Sequence, residues 1–156
     1  MPFNSGYPHE RLPVFWEGPI LGFDVTVFGY FDDQDRIERV RVERAISPNV
    51  NSDDLARMST EEIKDRPAEQ SRQIRSQILR ECEVFAKSLS DRYGKGQKKG
   101  VSLNENDPTV EVWRNGRDGI DLRCFIDTTG IDDAYVRAIG TIEVDYRYLA
   151  FGGGSL

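Results

Sequence analysis

Residues 67–93 read PAEQSRQIRSQILRECEVFAKSLSDRY. Within them Ile74, Ile78, Cys82, Phe85, Leu89 and Tyr93 recur at spacings of four, four, three, four and four. That period lays one apolar stripe along a helix, which Leu79 and Ala86 widen, while Arg72, Arg75, Arg80, Glu83 and Lys87 fall mostly on the opposite side. Pro67 suits a first helical turn. Gly94 follows at once and can take the left-handed conformation that ends a helix. A helix of this length spans about 39 Å. Isolated, it is marginal in water, so the stripe must lie against something apolar.

The apolar partner is legible on both sides of the helix. Upstream, residues 20–31 (ILGFDVTVFGYF) alternate, with Leu21, Phe23, Val25, Val27 and Phe31 on one face. The turn-forming run Asp32-Asp33-Gln34-Asp35 leads into residues 36–46, where Val40 and Val42 face inward and Arg39, Arg41 and Glu43 outward. Ile37 is out of phase with Val40, which predicts a bulge or a frayed start. Downstream, Val110 and Val112 in residues 109–114, Ile120, Leu122, Cys124 and Ile126 in 119–126, and Ile142, Val144, Tyr146 and Tyr148 in 139–149 mark three more strands. Asn115-Gly116 is a hairpin signal. Short connections force antiparallel pairing. The expected fold class is therefore α+β: a five-stranded, mainly antiparallel sheet in ββαβββ order, with one long amphipathic helix packed on one face.

The remaining segments are expected to be irregular. Residues 1–19 carry four prolines and the apolar Phe3, Tyr7, Leu12, Val14, Phe15 and Trp16, and read as an arm packed on the domain. Phe15 and Trp16 are its anchors. Ser59-Thr60-Glu61-Glu62 matches a helix capping box. Residues 94–108 and 127–138 read as loops, the second with a possible helical turn. Residues 20–151 make one α+β domain, and 152–156 a flexible tail.

The chain has 156 residues, a size for one domain, with 38% apolar and 31% charged residues and a formal net charge of −6. That charge disfavours nucleic acid and favours basic partners. No apolar run reaches the ~20 residues a membrane helix needs, and no signal peptide is visible, so no membrane partner is expected and a cytoplasmic location follows by elimination. Cys82 and Cys124, the only cysteines, both fall at core positions. Free buried cysteines are the expectation, with a disulfide as the lesser alternative.

The sites that carry chemistry mostly fail on their surroundings. Gly94-Lys95-Gly96-Gln97-Lys98-Lys99-Gly100 follows a helix C-terminus, where the dipole repels phosphate. Asp32, Asp33 and Asp35 lack the spacing of a calcium loop. Asp127-Thr128-Thr129-Gly130 carries one threonine too many for an aspartic-protease loop. His9 is the only histidine, which leaves no Ser-His or Cys-His pair in view and too few ligands for a histidine-based zinc site. No catalytic residue, metal or cofactor is expected.

What stands out is the outer sheet face. Alternation places Asp24, Phe28, Tyr30, Arg39, Arg41, Glu43, Glu111, Trp113, Asp121, Arg123, Phe125, Glu143, Asp145 and Arg147 there. Either the N-terminal arm covers its aromatics, or the face meets a partner, since aromatics and arginines typify binding hot spots. The expected function is a non-enzymatic protein-binding module. It engages another protein, or a second copy of itself, through Tyr30, Arg41, Trp113, Arg123 and Arg147. The alternative is a carboxylate-dependent hydrolase or small-ligand binder with a pocket between the arm and the sheet. In size, acidity and sheet-plus-helix pattern the chain resembles small bacterial adaptor proteins, such as immunity proteins and secretion chaperones.

Overall fold

The computed structural model describes residues 14–48, 60–132 and 135–148. Its elements, in chain order, are β1 (Val14–Ile20), β2 (Phe23–Phe31), β3 (Ile37–Ile46), α1 (Thr60–Tyr93), β4 (Gln97–Lys98), β5 (Leu103–Asn104), β6 (Thr109–Asn115), β7 (Asp118–Asp132) and β8 (Tyr135–Tyr148). Among the described residues the class is α+β, with one helix and a mainly antiparallel sheet. Among the described residues that sheet has eight strands, in the order β1-β2-β3-β8-β7-β6-β4, with β5 parallel to β7.

Three of those strands replace expected irregular segments. The last residues of the supposed arm form β1, which pairs with β2 across Leu21-Gly22. Both turn residues have positive φ, 55° and 82°, as a two-residue hairpin turn of matching twist requires. Trp16 opposes Val27, on the helix side, and its ring lies against Gly18. It therefore anchors nothing on the outer face. The earlier arm residues and the C-terminal tail lie outside the described residues. The glycine-lysine segment supplies β4, which adds to β6, and the next residues supply β5.

The expected loop at 127–138 is also strand. β7 and β8 pair from Asp118↔Tyr148 to Asp132↔Tyr135. Asp127-Thr128-Thr129-Gly130 sits inside this ladder, not in a catalytic loop. Its turn signals are overridden by a continuous partner strand. The bulge foreseen near Ile37 is present, as a register shift between Tyr30 and Phe31.

The helix starts at Thr60, where the capping signal lies, and runs through Pro67 rather than beginning there. Its 34 residues span about 51 Å. The stripe behaves as its spacing dictates. Ile74, Ile78, Cys82 and Phe85 are buried with Val25, Ile46, Ile120, Leu122, Cys124, Ile142 and Val144. Tyr93 ends the stripe half in water but meets the Tyr146 ring edge-on at 5.8 Å. Close approach of helix and sheet depends on Gly140, where a Cβ would stand 2.7 Å from Ile78 Cδ1. Arg44 points to this side too, and Glu81 of the helix accepts its Nε at 2.9 Å.

The two cysteines are bonded rather than free. Cys82 and Cys124 form a disulfide between α1 and β7, with Cα atoms 6.3 Å apart. Core burial of both was foreseen. Their juxtaposition depends on which strand lies under the helix, and β7 and β8 do so.

Candidate functional site

The cross-strand register decides which outer-face residues meet. β2, β3, β8 and β7 lie side by side, so Tyr30 opposes Arg39, which opposes Arg147. In the next row Phe28 opposes Arg41, then Asp145, then Asp121. In the third, Thr26 opposes Glu43, then Glu143, then Arg123. Directly opposed residues in antiparallel strands point the same way. One charged patch therefore spans four strands.

Asp145 is its centre. Arg39 Nε and Nη2 donate to the two carboxylate oxygens at 2.5 and 2.6 Å, a bidentate fork. Arg123 Nη1 and Arg147 Nη2 donate to Oδ2 at 3.1 and 3.3 Å. Burial pushes this carboxyl up. The hydrogen bonds and charge of Arg39, with the charges of Arg147 and Arg41, outweigh that and hold it below its ordinary value. An ionised, saturated carboxylate of this kind is a scaffold for guanidiniums, not a proton donor.

Arg41 differs from its neighbours. Its Nη1 lies 3.8 Å from Glu143 Oε1 and its Nη2 3.9 Å from Asp145 Oδ2, within ion-pair range but outside hydrogen-bond range. Among the described residues its buried Nε has no hydrogen-bond partner. Among the described residues the Arg41 guanidinium is held by charge and by the Tyr30 ring, 5.6 Å away. The same ring carries Arg39 at 4.6 Å. Tyr30 is thus a buried platform under two guanidiniums.

The patch is layered. Side chains of the acids Asp145, Glu143 and Asp121 are 0, 12 and 15% exposed, whereas the five arginines around them range from 18 to 45%. Carboxylates lie beneath and guanidiniums above. A partner approaching this patch of an acidic chain meets guanidiniums first.

Four of the five expected site residues come together here: Tyr30, Arg41, Arg123 and Arg147. Trp113 does not. A bulge in β6, between Thr109 and Glu111, slips the register by one. Glu111 then opposes Leu122 and Trp113 opposes Ile120, while Val112 turns outward opposite Asp121. Trp113 is buried in the core cluster, and its Nε1 donates to Gly94 O at 2.9 Å. Glu111 is buried as well, accepting from Gly96 N and Ser90 Oγ. Lone alternation gives no sign of this slip. Arg39 and Asp145 also belong to the patch, at its centre. Alternation places both on the face, but only the register makes one the other's partner. Arg114, 2.8 Å from Asp121, completes the rim.

For chemistry, arginine offers charge and fixed donors and does not exchange protons near neutrality. Within the patch the carboxylates meet like charge at two places, Glu43 opposite Glu143 and Asp121 opposite Asp145. Burial, then the Glu143 charge, raises the Glu43 carboxyl, with Arg41 pulling the other way. The Asp32 carboxylate is consumed by its own turn, accepting from Gln34 N, Arg36 N and Arg36 Nε. Among the described residues no group of three or more potential metal ligands gathers, and no helix is long and apolar enough to cross a membrane.

Comparison of the chain with protein families, with curated proteins and with solved structures found no match.

Proposed function

We propose that this chain is a non-enzymatic protein-binding module whose outer sheet face receives an acidic surface of a partner protein. The layering of guanidiniums over buried carboxylates supports this reading. The acids hold the arginines in place, so little side-chain entropy is lost when an anionic group docks. Arg41 is the anchor, because its donors have no hydrogen bond to surrender, and Arg147 is the most exposed of the cluster at 45%. Tyr30 fixes Arg41 from below. Arg123 divides its donors between Asp121 and Asp145 and works as support. The acidic total charge pointed toward basic partners; the local charge of this face supports the opposite. An acidic protein is preferred over nucleic acid, because five arginines interleaved with carboxylates make a compact patch rather than a continuous basic stripe.

A second copy is a poorer partner, since it would bring the same guanidinium layer. The Cys82–Cys124 disulfide supports work in an oxidising compartment rather than the cytoplasm.

The test compares partners captured from the source organism by the wild-type chain and by an Arg41→Glu/Arg147→Glu variant, with identification by mass spectrometry. Acidic proteins retained by the first and lost by the second are expected; the variant melts lower, because Arg41 and Arg147 both face the buried Asp145 carboxylate, so capture is compared at a temperature where circular dichroism shows both chains folded. Equal capture by both chains rules the face out.

A further inference from the structure

Between the C-terminal end of α1 and the β6–β7 hairpin lies a cleft of about 440 Å³, within the range of small-molecule sites. Trp113, Tyr146 and Tyr93 supply its aromatic surface. Trp113 is almost fully buried and locked by its bond to Gly94 O, so it is a rigid floor. Tyr93 is 42% exposed and presents a ring to any occupant.

The rim is cationic. Arg92, Lys95 and Arg114 line it against one acid, Asp118. Arg114 is fixed by the carbonyls of Trp113 and Ile120 and by Asp121. Arg92 and Lys95 have no carboxylate partner among the described residues. A helix C-terminus ordinarily repels anions. Here Ser90 O accepts from Gly94 N and Gly94 O from the Trp113 indole, so two carbonyls at that end are already occupied.

We infer that this cleft binds a small organic anion with an aromatic ring, the ring against Tyr93 and Trp113 and the anionic group between Arg92 and Lys95. Aromatic walls match the ring, and Arg92 and Lys95, against the one lining acid Asp118, match the charge, Arg114 being already paired with Asp121. The site shares Arg114 alone with the rim of the sheet-face patch and does not depend on the partner proposed for it.

Anilinonaphthalene sulfonate, a fluorescent aromatic anion, is the probe. Titrated into the folded chain, it is expected to bind saturably, one per molecule, and to shift the Trp113 indole N–H resonance in step with its fluorescence. Arg92→Glu/Lys95→Glu is expected to weaken binding roughly tenfold, because two exposed favourable charges become repulsive. The uncharged analogue phenylnaphthylamine should bind both chains alike. Arg147→Glu, on the sheet face, should leave dye affinity unchanged. The inference is overturned by absence of saturable binding, by a Trp113 resonance that stays still, or by a dye affinity that follows Arg147 rather than Arg92 and Lys95.

Discussion

Asp145 shows how one residue organises a surface. Its carboxylate is fully buried among arginines, so its removal takes away the shared acceptor of Arg39, Arg123 and Arg147. Breaking a buried pair from one side costs about 3–5 kcal/mol. Asp145→Asn is therefore expected to lose stability of that order at neutral pH, measured by urea denaturation. The pH dependence has a definite sign. Because the folded carboxyl titrates below its unfolded value, the ionised form stabilises the fold above the ordinary aspartate range. That contribution fades as pH falls through about 4 and lower. The wild-type chain should lose this increment on acidification, and Asp145→Asn should not. Similar acid sensitivity in both would place the stabilising charge elsewhere. Glu43 has the reverse sign. Its raised carboxyl makes ionisation costly, so its contribution to stability is largest when protonated and falls as pH rises.

At the level of elements, the β6 bulge assigns Trp113 to the core. Trp113→Ala should cost about 3–5 kcal/mol through lost burial and the cavity left behind. A melting temperature that falls without any change in captured proteins is the expected outcome. Weakened capture with an unchanged melt would mean that Trp113 contacts a partner after all. The disulfide ties α1 to β7 at Cys124, and the preceding residue, Arg123, belongs to the outer patch. Cys82 and Cys124 are 42 residues apart in the chain. In the chain-entropy account, closing a loop of that length contributes about 4 kcal/mol. Cys82→Ala/Cys124→Ala should lose up to that amount, and addition of reductant should destabilise the wild type but not the variant. Identical melts with and without reductant would show that the bond contributes nothing.

For the whole molecule, total charge and local charge diverge. The chain carries −6, yet its outer face presents guanidiniums. Long-range repulsion of an acidic partner and short-range attraction at the patch are both screened by salt, but the buried pairs are screened far less. Raising salt from about 0.05 to 0.5 M should thus weaken partner capture while moving the melting temperature little. A melt that drops in parallel with capture would mean that the patch holds the fold together by exposed charge alone.

Periodicity along the chain settled the helix stripe, the alternation of four of the five expected strands, and the outward position of Tyr30, Arg41, Arg123 and Arg147. These follow from spacings of 3.6 and 2 residues, which are properties of neighbours in sequence. Tertiary structure alone decided the rest. The strand character of Val14–Ile20 and of residues 127–132 comes from partner strands that override local proline and glycine signals. The slip that buries Trp113, the pairing of Cys82 with Cys124 and the gathering of arginines on Asp145 all depend on register. Register brings together residues as distant in sequence as Arg39 and Asp145, 106 positions apart, and no local pattern encodes a distance of that kind.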